Sequence, residues 1–274
     1  MATCVETDDR PRTLLSWSSG KDSAWAFHVL RQQWQIEVVG LLTTVNERDG
    51  RVAMHAVRQD LLEAQARTTG LPLWPVSIPS PCTNADYEVA MARVLERALA
   101  SGITAVAFGD LFLEDIRRYR ADRFASAGLT PLLPLWGLST PDLARDMMRG
   151  GLRAQVMCVD PRHLSPQFAG RAFDAAFLDD LPPTVDPCGE RGEFHTFTCA
   201  GPMFDQPISV RVGEVVERDA SSSPICSHTL SHPPEDASQR GQERRPRRYF
   251  RRARRVRLLV WWTQKSESPS LLVQ

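Results

Sequence analysis

The sequence predicts an α/β fold: a parallel sheet with helices on both faces, then a smaller α/β segment. Three observations carry this. Short apolar runs of β type alternate with stretches of helical spacing through the first 136 residues. Glycine, proline and small polar residues mark the joints between them. Polar clusters, Ser18–Ser23, Thr43–Asn46 and Gly109–Asp115, follow three of the strand-like runs, and ligands sit at the carboxyl ends of such strands.

Each element has its own warrant. Arg12–Trp17 is a short β run that ends in Ser-Ser-Gly. From Ser23 the spacing turns helical, with Ala24, Phe27, Leu30 and Trp34 on one face. Ile36–Val45 reads as a strand buried on both sides. Ala53–Thr69 reads as a helix closed by Gly70, and Leu73–Ile78 as the next strand. Asn84 is the expected cap of a helix carrying Tyr87, Met91, Val94, Leu95 and Ala98 on one stripe. Thr104–Leu111 is strand, Glu114–Ala127 helix, and Thr130–Trp136 a short strand between prolines. Beyond a seam near residue 136, Thr140–Gly150 reads as helix, Arg153–Val159 as strand and Gln167–Leu178 as helix. A strand pair, Ile208–Val212 and Val215–Arg218, is expected to close the fold.

The chain thus divides into a nucleotide-binding domain over 1–136, a substrate domain over 137–219 and a tail over 220–274. Its 274 residues suffice for a core without staples. The six cysteines show no paired rhythm and residues 1–13 are polar and charged, which points to reduced thiols in the cytoplasm and no signal peptide. The formal charge is zero, yet residues 1–219 carry 22 Lys+Arg against 29 Asp+Glu, a net of −7, and residues 220–274 carry 11 against 4, a net of +7. The tail, rich in Ser, Pro and Arg, has no sustained apolar period and is expected to be disordered. It reads as a solvated basic tail, a nucleic-acid arm or an out-of-frame translation of a GC-rich gene, and the abrupt change after Asp219 favours the last. The longest apolar run there, Leu258–Trp262, is too short to span a bilayer, so no membrane partner is expected.

The stretch Ser18-Ser19-Gly20-Lys21-Asp22-Ser23 joins the first strand to the first helix. A glycine loop at that joint directs backbone N–H groups and the positive helix end toward an anion. Three serines add hydroxyls and Lys21 a compact cation, one of only two lysines in the chain. Asp22 caps the helix or meets a Mg²⁺ carried on bound phosphates. The plainer alternative is a strand–helix turn with a serine cap. A Walker A loop is absent.

The hexapeptide resembles the SGGxDS loop of the ATP pyrophosphatase, or PP-loop, superfamily of adenine nucleotide α hydrolases, with serine in place of the first glycine. Two more stretches, Phe108-Gly109-Asp110-Leu111 with Glu114–Arg120, and Cys188-Gly189-Glu190-Arg191-Gly192-Glu193-Phe194-His195-Thr196-Phe197, follow in order. Together they resemble the diphthine–ammonia ligase-like family, especially its bacterial members, over about residues 12–218. The resemblance implies a Rossmann-like nucleotide domain and a smaller substrate domain. It also implies adenylation of a carboxylate by ATP and displacement of AMP by ammonia. The chain departs from the ligases where they resemble GEYET and where they carry a QR pair. Here it has Gly192-Glu193-Phe194-His195-Thr196 and Asp115–Arg118.

On this footing Ser18, Ser19, Gly20, Lys21, Asp22 and Ser23 are expected to hold ATP and its Mg²⁺, with Asp22 the residue nearest the metal. Thr43 and Thr44 hold adenine or ribose, or simply form a strand-end turn. Gly109 permits close approach of a ligand, and Asp110 with Glu114 binds Mg²⁺ or ammonium, or caps a helix. Arg117, Arg118 and Arg120 receive an anion or face solvent. Lys21, Glu190, Glu193 and His195 form the expected catalytic set, with His195 titrating near neutral pH to take a proton from an attacking amine. Cys188, His195 and Cys199 suggest zinc only weakly, and His28 and His55 read as ordinary helix residues. The leading function is an AMP-forming amide ligase acting on a small-molecule or protein carboxylate, with free ammonia as donor. A non-catalytic nucleotide sensor and a tRNA-modifying PP-loop enzyme are the alternatives. The acidic body argues against nucleic acid as a partner.

Overall fold

The computed structural model describes residues 10–48, 50–53, 57–220 and 223–231. Five strands run parallel in one sheet: β1 (Arg12–Ser16), β2 (Glu37–Asn46), β4 (Leu73–Ile78), β5 (Ala105–Ala107) and β6 (Thr130–Leu132). A two-residue strand, β3 (Arg51–Val52), pairs antiparallel to the end of β2. In space the parallel strands run β4-β2-β1-β5-β6. The chain winds outward from β1 to β4, then returns to the other side of β1 with β5. That reversal between β1 and β5 is where such sheets bind ligands.

Both faces of the sheet are covered, which accounts for strands apolar on both sides. Helices α3 (Asn84–Ala100) and α4 (Glu114–Ser126) cover one face, where Met91, Val94, Leu95 and Phe124 meet Leu14, Leu42, Val76 and Val106. Helices α1 (Lys21–Gln32) and α2 (Gln59–Thr69) cover the other with Phe27, Leu30, Leu61 and Leu62. Each fully buried leucine here contributes about 2 kcal/mol of apolar transfer.

A second sheet, antiparallel throughout, runs β8 (Phe194–Ala200), β7 (Arg153–Val159), β10 (Ser223–Ser231), β9 (Arg211–Ala220). Helix α5 (Thr140–Arg149) precedes it, and a short α6 (Ala175–Asp179) lies between β7 and β8. The apolar cluster beneath α1 continues without a break into Leu143, Met147, Val156, Phe177 and Phe197. Trp25 of α1 packs against Gly150 at the end of α5, where a methyl group would fall within 2.3 Å of the indole.

Several boundaries differ from the sequence expectation. The helix expected over 53–69 begins only at Gln59, because Arg51–Val52 pair with β2 first; His55 lies outside the described residues. The cap of α3 is Thr83, not Asn84: Thr83 Oγ1 accepts from the Asp86 N–H and Asp86 returns the bond to the Thr83 N–H, a capping box. β5 stops at Ala107, since the Leu111 N–H and carbonyl bind Glu190 and Gly137 instead of a strand. The helix expected over 167–178 is a 3₁₀ turn at Pro166–Phe168 and then α6. Between them Gly170 and Phe173 donate to Val156 and Ala154, taking the chain along β7. β8 was not expected, and the closing strand pair is β9 with β10 rather than two short strands before residue 219. β10 lies inside the stretch whose composition suggests a disordered tail; residues 232–274 lie outside the described residues.

Candidate active site at the β1–β5 switch point

The Ser18–Ser23 loop leaves β1 and enters α1 at the switch point. Its hydroxyls turn inward: Ser18 Oγ accepts from the Gly20 N–H (3.3 Å) and lies 3.2 Å from Ser23 Oγ, which donates to the Gly20 carbonyl (3.0 Å). Ser19 adopts φ = +71°, a left-handed conformation that suits glycine and costs a serine about 1 kcal/mol. Its carbonyl accepts from Gln65 Nε2 (3.0 Å) and the Thr198 N–H (3.0 Å), while its hydroxyl is buried without a partner among the described residues. No side chain caps α1. N–H groups of a first helical turn have no acceptor within their helix; that of Lys21 is given to Thr196 and that of Asp22 to its own carboxylate, which leaves the Ser23 N–H at the uncapped start of α1. Gly109 lies against that start: a Cβ there would stand 2.8 Å from the Asp22 carbonyl carbon and 2.9 Å from the Ser23 nitrogen. Glycine is required by that contact, since any side chain pushes the loop away.

Lys21 does not stand over the loop. Its side chain is 2% exposed, and its Nζ donates to Asp22 Oδ2 (2.8 Å) and to the Cys188 carbonyl. It lies 5.3 and 5.5 Å from the ring centres of Phe194 and Phe173. Burial alone would lower its pKa, but Asp22, Cys188 and Glu190 outweigh that, so Lys21 is held charged. The Lys21 N–H donates to Thr196 Oγ1 of β8 (3.0 Å). Lys21 therefore ties the first loop to the second motif through both its backbone and its side chain.

The second motif forms a loop between α6 and β8, clamped by two buried carboxylates. Asp186 Oδ1 accepts from the N–H groups of Cys188 (2.9 Å) and Glu190 (3.3 Å), and its Oδ2 from Thr140 Oγ1 (2.6 Å). Glu193 accepts from the N–H groups of Asp186 (3.0 Å) and Arg191 (3.0 Å). Gly189 and Gly192 take φ of +67° and +85°, as the tight turns require. Glu193 is thus committed to shaping the loop. Glu190 reaches out of it: its Oε1 accepts from the Leu111 N–H (2.8 Å), and it is only part-buried. Burial, reinforced by Asp22 and Asp110, pushes its pKa up to about 7.

His195 departs from expectation. Burial, with Lys21 nearby, pushes its pKa down to about 4, so it is neutral at neutral pH. Glu190, not His195, titrates near 7. Burial likewise raises the Cys188 thiol, whose Sγ faces the Thr140 carbonyl (3.5 Å), and this leaves it a poor nucleophile. Thr43 is buried with its hydroxyl given to the Trp17 carbonyl (2.7 Å); Thr44, part-buried, accepts from the Ala53 N–H through its carbonyl. Asp110 forms a two-pronged pair with Arg120 (Nη2–Oδ1 3.0 Å), whose guanidinium stacks 4.1 Å from the Phe108 ring centre. Arg117 lies over Trp136 and pairs weakly with Glu114 (3.4 Å). Surface hollows lined by Glu63, Arg67 and Leu73, and by Arg31, Glu37 and Val38, lie at the opposite, amino end of the sheet.

The structure therefore brings the Ser18–Ser23 loop, Gly109, Asp110 and Glu190 to one end of the sheet, and commits Thr43, Glu193 and the Lys21 side chain to internal contacts. Sequence reasoning missed Gln65, Asp186 and Thr198, and named Thr196 only as a member of the second motif. The residues fit a phosphate at the uncapped start of α1 beside Gly109. They do not fit a resident Mg²⁺: the Asp22 carboxylate is taken by Lys21, Asp110 by Arg120, and no group of three metal-ligating side chains occurs among the described residues.

Fold and site define a Rossmann-like α/β protein with a glycine-containing loop at its switch point and the Asp186–Glu193 loop packed against it. Residues 11–128 match the model of the diphthamide synthase N-terminal domain, and residues 139–221 that of its C-terminal domain. The chain belongs to the diphthine–ammonia ligase-like family. It is 32% identical over 142 residues to the diphthine–ammonia ligase of Homo sapiens, covering 50% of this chain and 51% of that protein. The Schizosaccharomyces pombe ligase is 28% identical over 232 residues, 76% of this chain and 37% of the relative. The chain thus spans about half the length of the first curated relatives it matches. Among the described residues no helix is long and apolar enough to cross a membrane.

Proposed function

We propose that this chain is an ATP-dependent, AMP-forming amide ligase that adenylates a carboxylate and transfers ammonia to it. The observation that carries this is the Glu190–Leu111 hydrogen bond, which sets a titratable carboxylate of the second motif on the stretch after β5 whose Gly109 lies against the first loop. Family membership supplies the reaction class. The N–H groups at the start of α1 bind the phosphates, and Gly109 leaves room for that backbone. A carboxylate oxygen of the acceptor attacks the α-phosphorus and the bond to the bridging oxygen breaks, releasing pyrophosphate. Fixed N–H donors offset the charge gathered there. Ammonia then attacks the acyl carbon, AMP leaves with the bonding pair, and Glu190, poised near pH 7, takes the proton that nitrogen sheds. His195 stays neutral and packs the site. Mg²⁺ arrives on the nucleotide rather than on a site of the protein. The acceptor is a small-molecule or protein carboxylate, and the setting is the cytoplasm.

The buried Lys21 ammonium favours a second reading, a nucleotide sensor that does not turn over, because the charge usually aimed at phosphate is spent on the fold. Pyrophosphate release from labelled ATP, with ammonium and a panel of carboxylates, separates the two. Release that depends on acceptor and ammonium supports the ligase. Calorimetric binding of ATP with no release under any condition leaves the sensor, and no binding at all removes both.

A further inference from the structure

Gln65 is fully buried, on the apolar stripe of α2 between Leu61, Leu62 and Thr68, and it has no place in the chemistry proposed above. A buried amide persists only if its hydrogen bonds are met. Here its Oε1 accepts from the Trp17 indole N–H (2.9 Å), and its Nε2 donates to the carbonyls of Ser19 (3.0 Å) and Thr198 (2.7 Å). One side chain thus joins the end of β1, the Ser18–Ser23 loop and β8. Of the three, Ser19 is the residue under strain: the one non-glycine residue with positive φ among the described residues, and with an unpartnered buried hydroxyl.

We infer that Gln65 is a positioning residue: its amide holds the Ser19 carbonyl and so keeps the serine in the left-handed conformation that the loop needs. The logic is that of a clamp compensating for a missing glycine. A glycine at residue 19 would adopt φ = +71° unaided. A serine there needs the turn enforced from outside, and the Gln65 amide and the Thr198 N–H are the groups that grip its carbonyl. Gln65 touches no reacting atom, so its influence runs through loop geometry alone.

The inference rests on the nucleotide reading only for the binding arm of its test. Three chains are compared with the native one: Gln65→Met, Ser19→Gly, and the pair together. Amide exchange at Gly20 and Lys21, followed by NMR, needs no ligand. Gln65→Met removes all three amide bonds; through the lost bond to the Ser19 carbonyl it is expected to speed exchange by about tenfold and to weaken Mg-ATP binding by a similar factor in calorimetry. Adding Ser19→Gly should recover most of both. A residue that merely fills the core would lower the unfolding temperature without singling out these amides, and a glycine would give no rescue; that result overturns the inference. If native chain binds no nucleotide, the proposed function fails while the exchange measurements still decide the role of Gln65. If Gln65→Met does not fold, Ser19→Gly is compared with Ser19→Ala in the native background. Both remove the hydroxyl, but only glycine relieves the backbone. Glycine is expected to raise the unfolding midpoint over alanine by about 2–4 °C, and equal midpoints overturn the inference.

Discussion

The two loops that meet at the switch point are stabilised in opposite ways. The Asp186–Glu193 loop carries its own scaffold: two carboxylates from its ends accept from four backbone N–H groups within it. The Ser18–Ser23 loop has some internal hydroxyl contacts, but its strained serine and its lysine are held by Gln65, Thr196, Thr198 and Cys188, distant in sequence. A self-scaffolded loop can present a carboxylate to substrate without moving. A loop held from outside is available to ligand only when its neighbours are in place.

Breaking the external hold should have the largest effect. Lys21→Met removes a buried cation and leaves Asp22 uncompensated, at about 3 kcal/mol of stability, less than for a wholly buried pair because Asp22 keeps some contact with water. Urea unfolding measures that loss, and acceptor-dependent pyrophosphate release should fall by about two orders of magnitude or more as the loop shifts. Asp186→Ala strips three donors of their partner within the other loop and should cost about 2–3 kcal/mol. Its effect on ATP affinity in calorimetry should be smaller than that of Lys21→Met, because the α1 end is untouched.

The pH dependence sharpens the contrast further. Between its ordinary value of 4.5 and about 7, Glu190 keeps a proton in the folded chain that the unfolded chain has released. Its contribution to stability therefore falls as pH rises through that window and is least favourable above it. Glu190→Gln should flatten that slope in thermal unfolding from pH 4.5 to 7.5, while the Leu111 N–H keeps an acceptor. His195 acts oppositely: with its pKa down at about 4, stability rises with pH between there and 6.5, so the two slopes partly cancel until one residue is replaced. The smallest effect is expected from Arg191→Ala. Its guanidinium is exposed and 3.8 Å from Glu193, so the change should stay within about 0.5 kcal/mol in urea unfolding and show that backbone donors, not the ion pair, hold the loop.

The parallel sheet was legible because its signals are local. β1, β4, β7 and the start of α4 announce themselves by apolar runs and abrupt polar ends, and Gly70 closes α2 with φ = +72° where expected. The loop at the switch point was legible from six residues. β8 was hidden, although its Phe and Thr residues suit a strand, because the neighbouring Gly-Glu-Arg-Gly reads as loop and the pairing with β7 is not local. The division of labour within the second motif was equally hidden. Glu190 and Glu193 sit three apart in one string, and only the fold turns one outward to Leu111 and the other inward onto Asp186. Gln65 did leave a trace, a lone amide on an otherwise apolar helical stripe.

The strand beneath the first loop has a consequence for biosynthesis. Thr196 and Thr198 complete contacts to Lys21 and Ser19, more than 170 residues upstream. A nascent chain leaving the ribosome can assemble the early strands, yet its Ser18–Ser23 turn stays unfinished until β8 has cleared the exit tunnel. The strained turn is therefore among the last features such a polypeptide secures, and a ribosome stalled in the middle of the message releases a product with most of its first sheet and a turn that nothing holds.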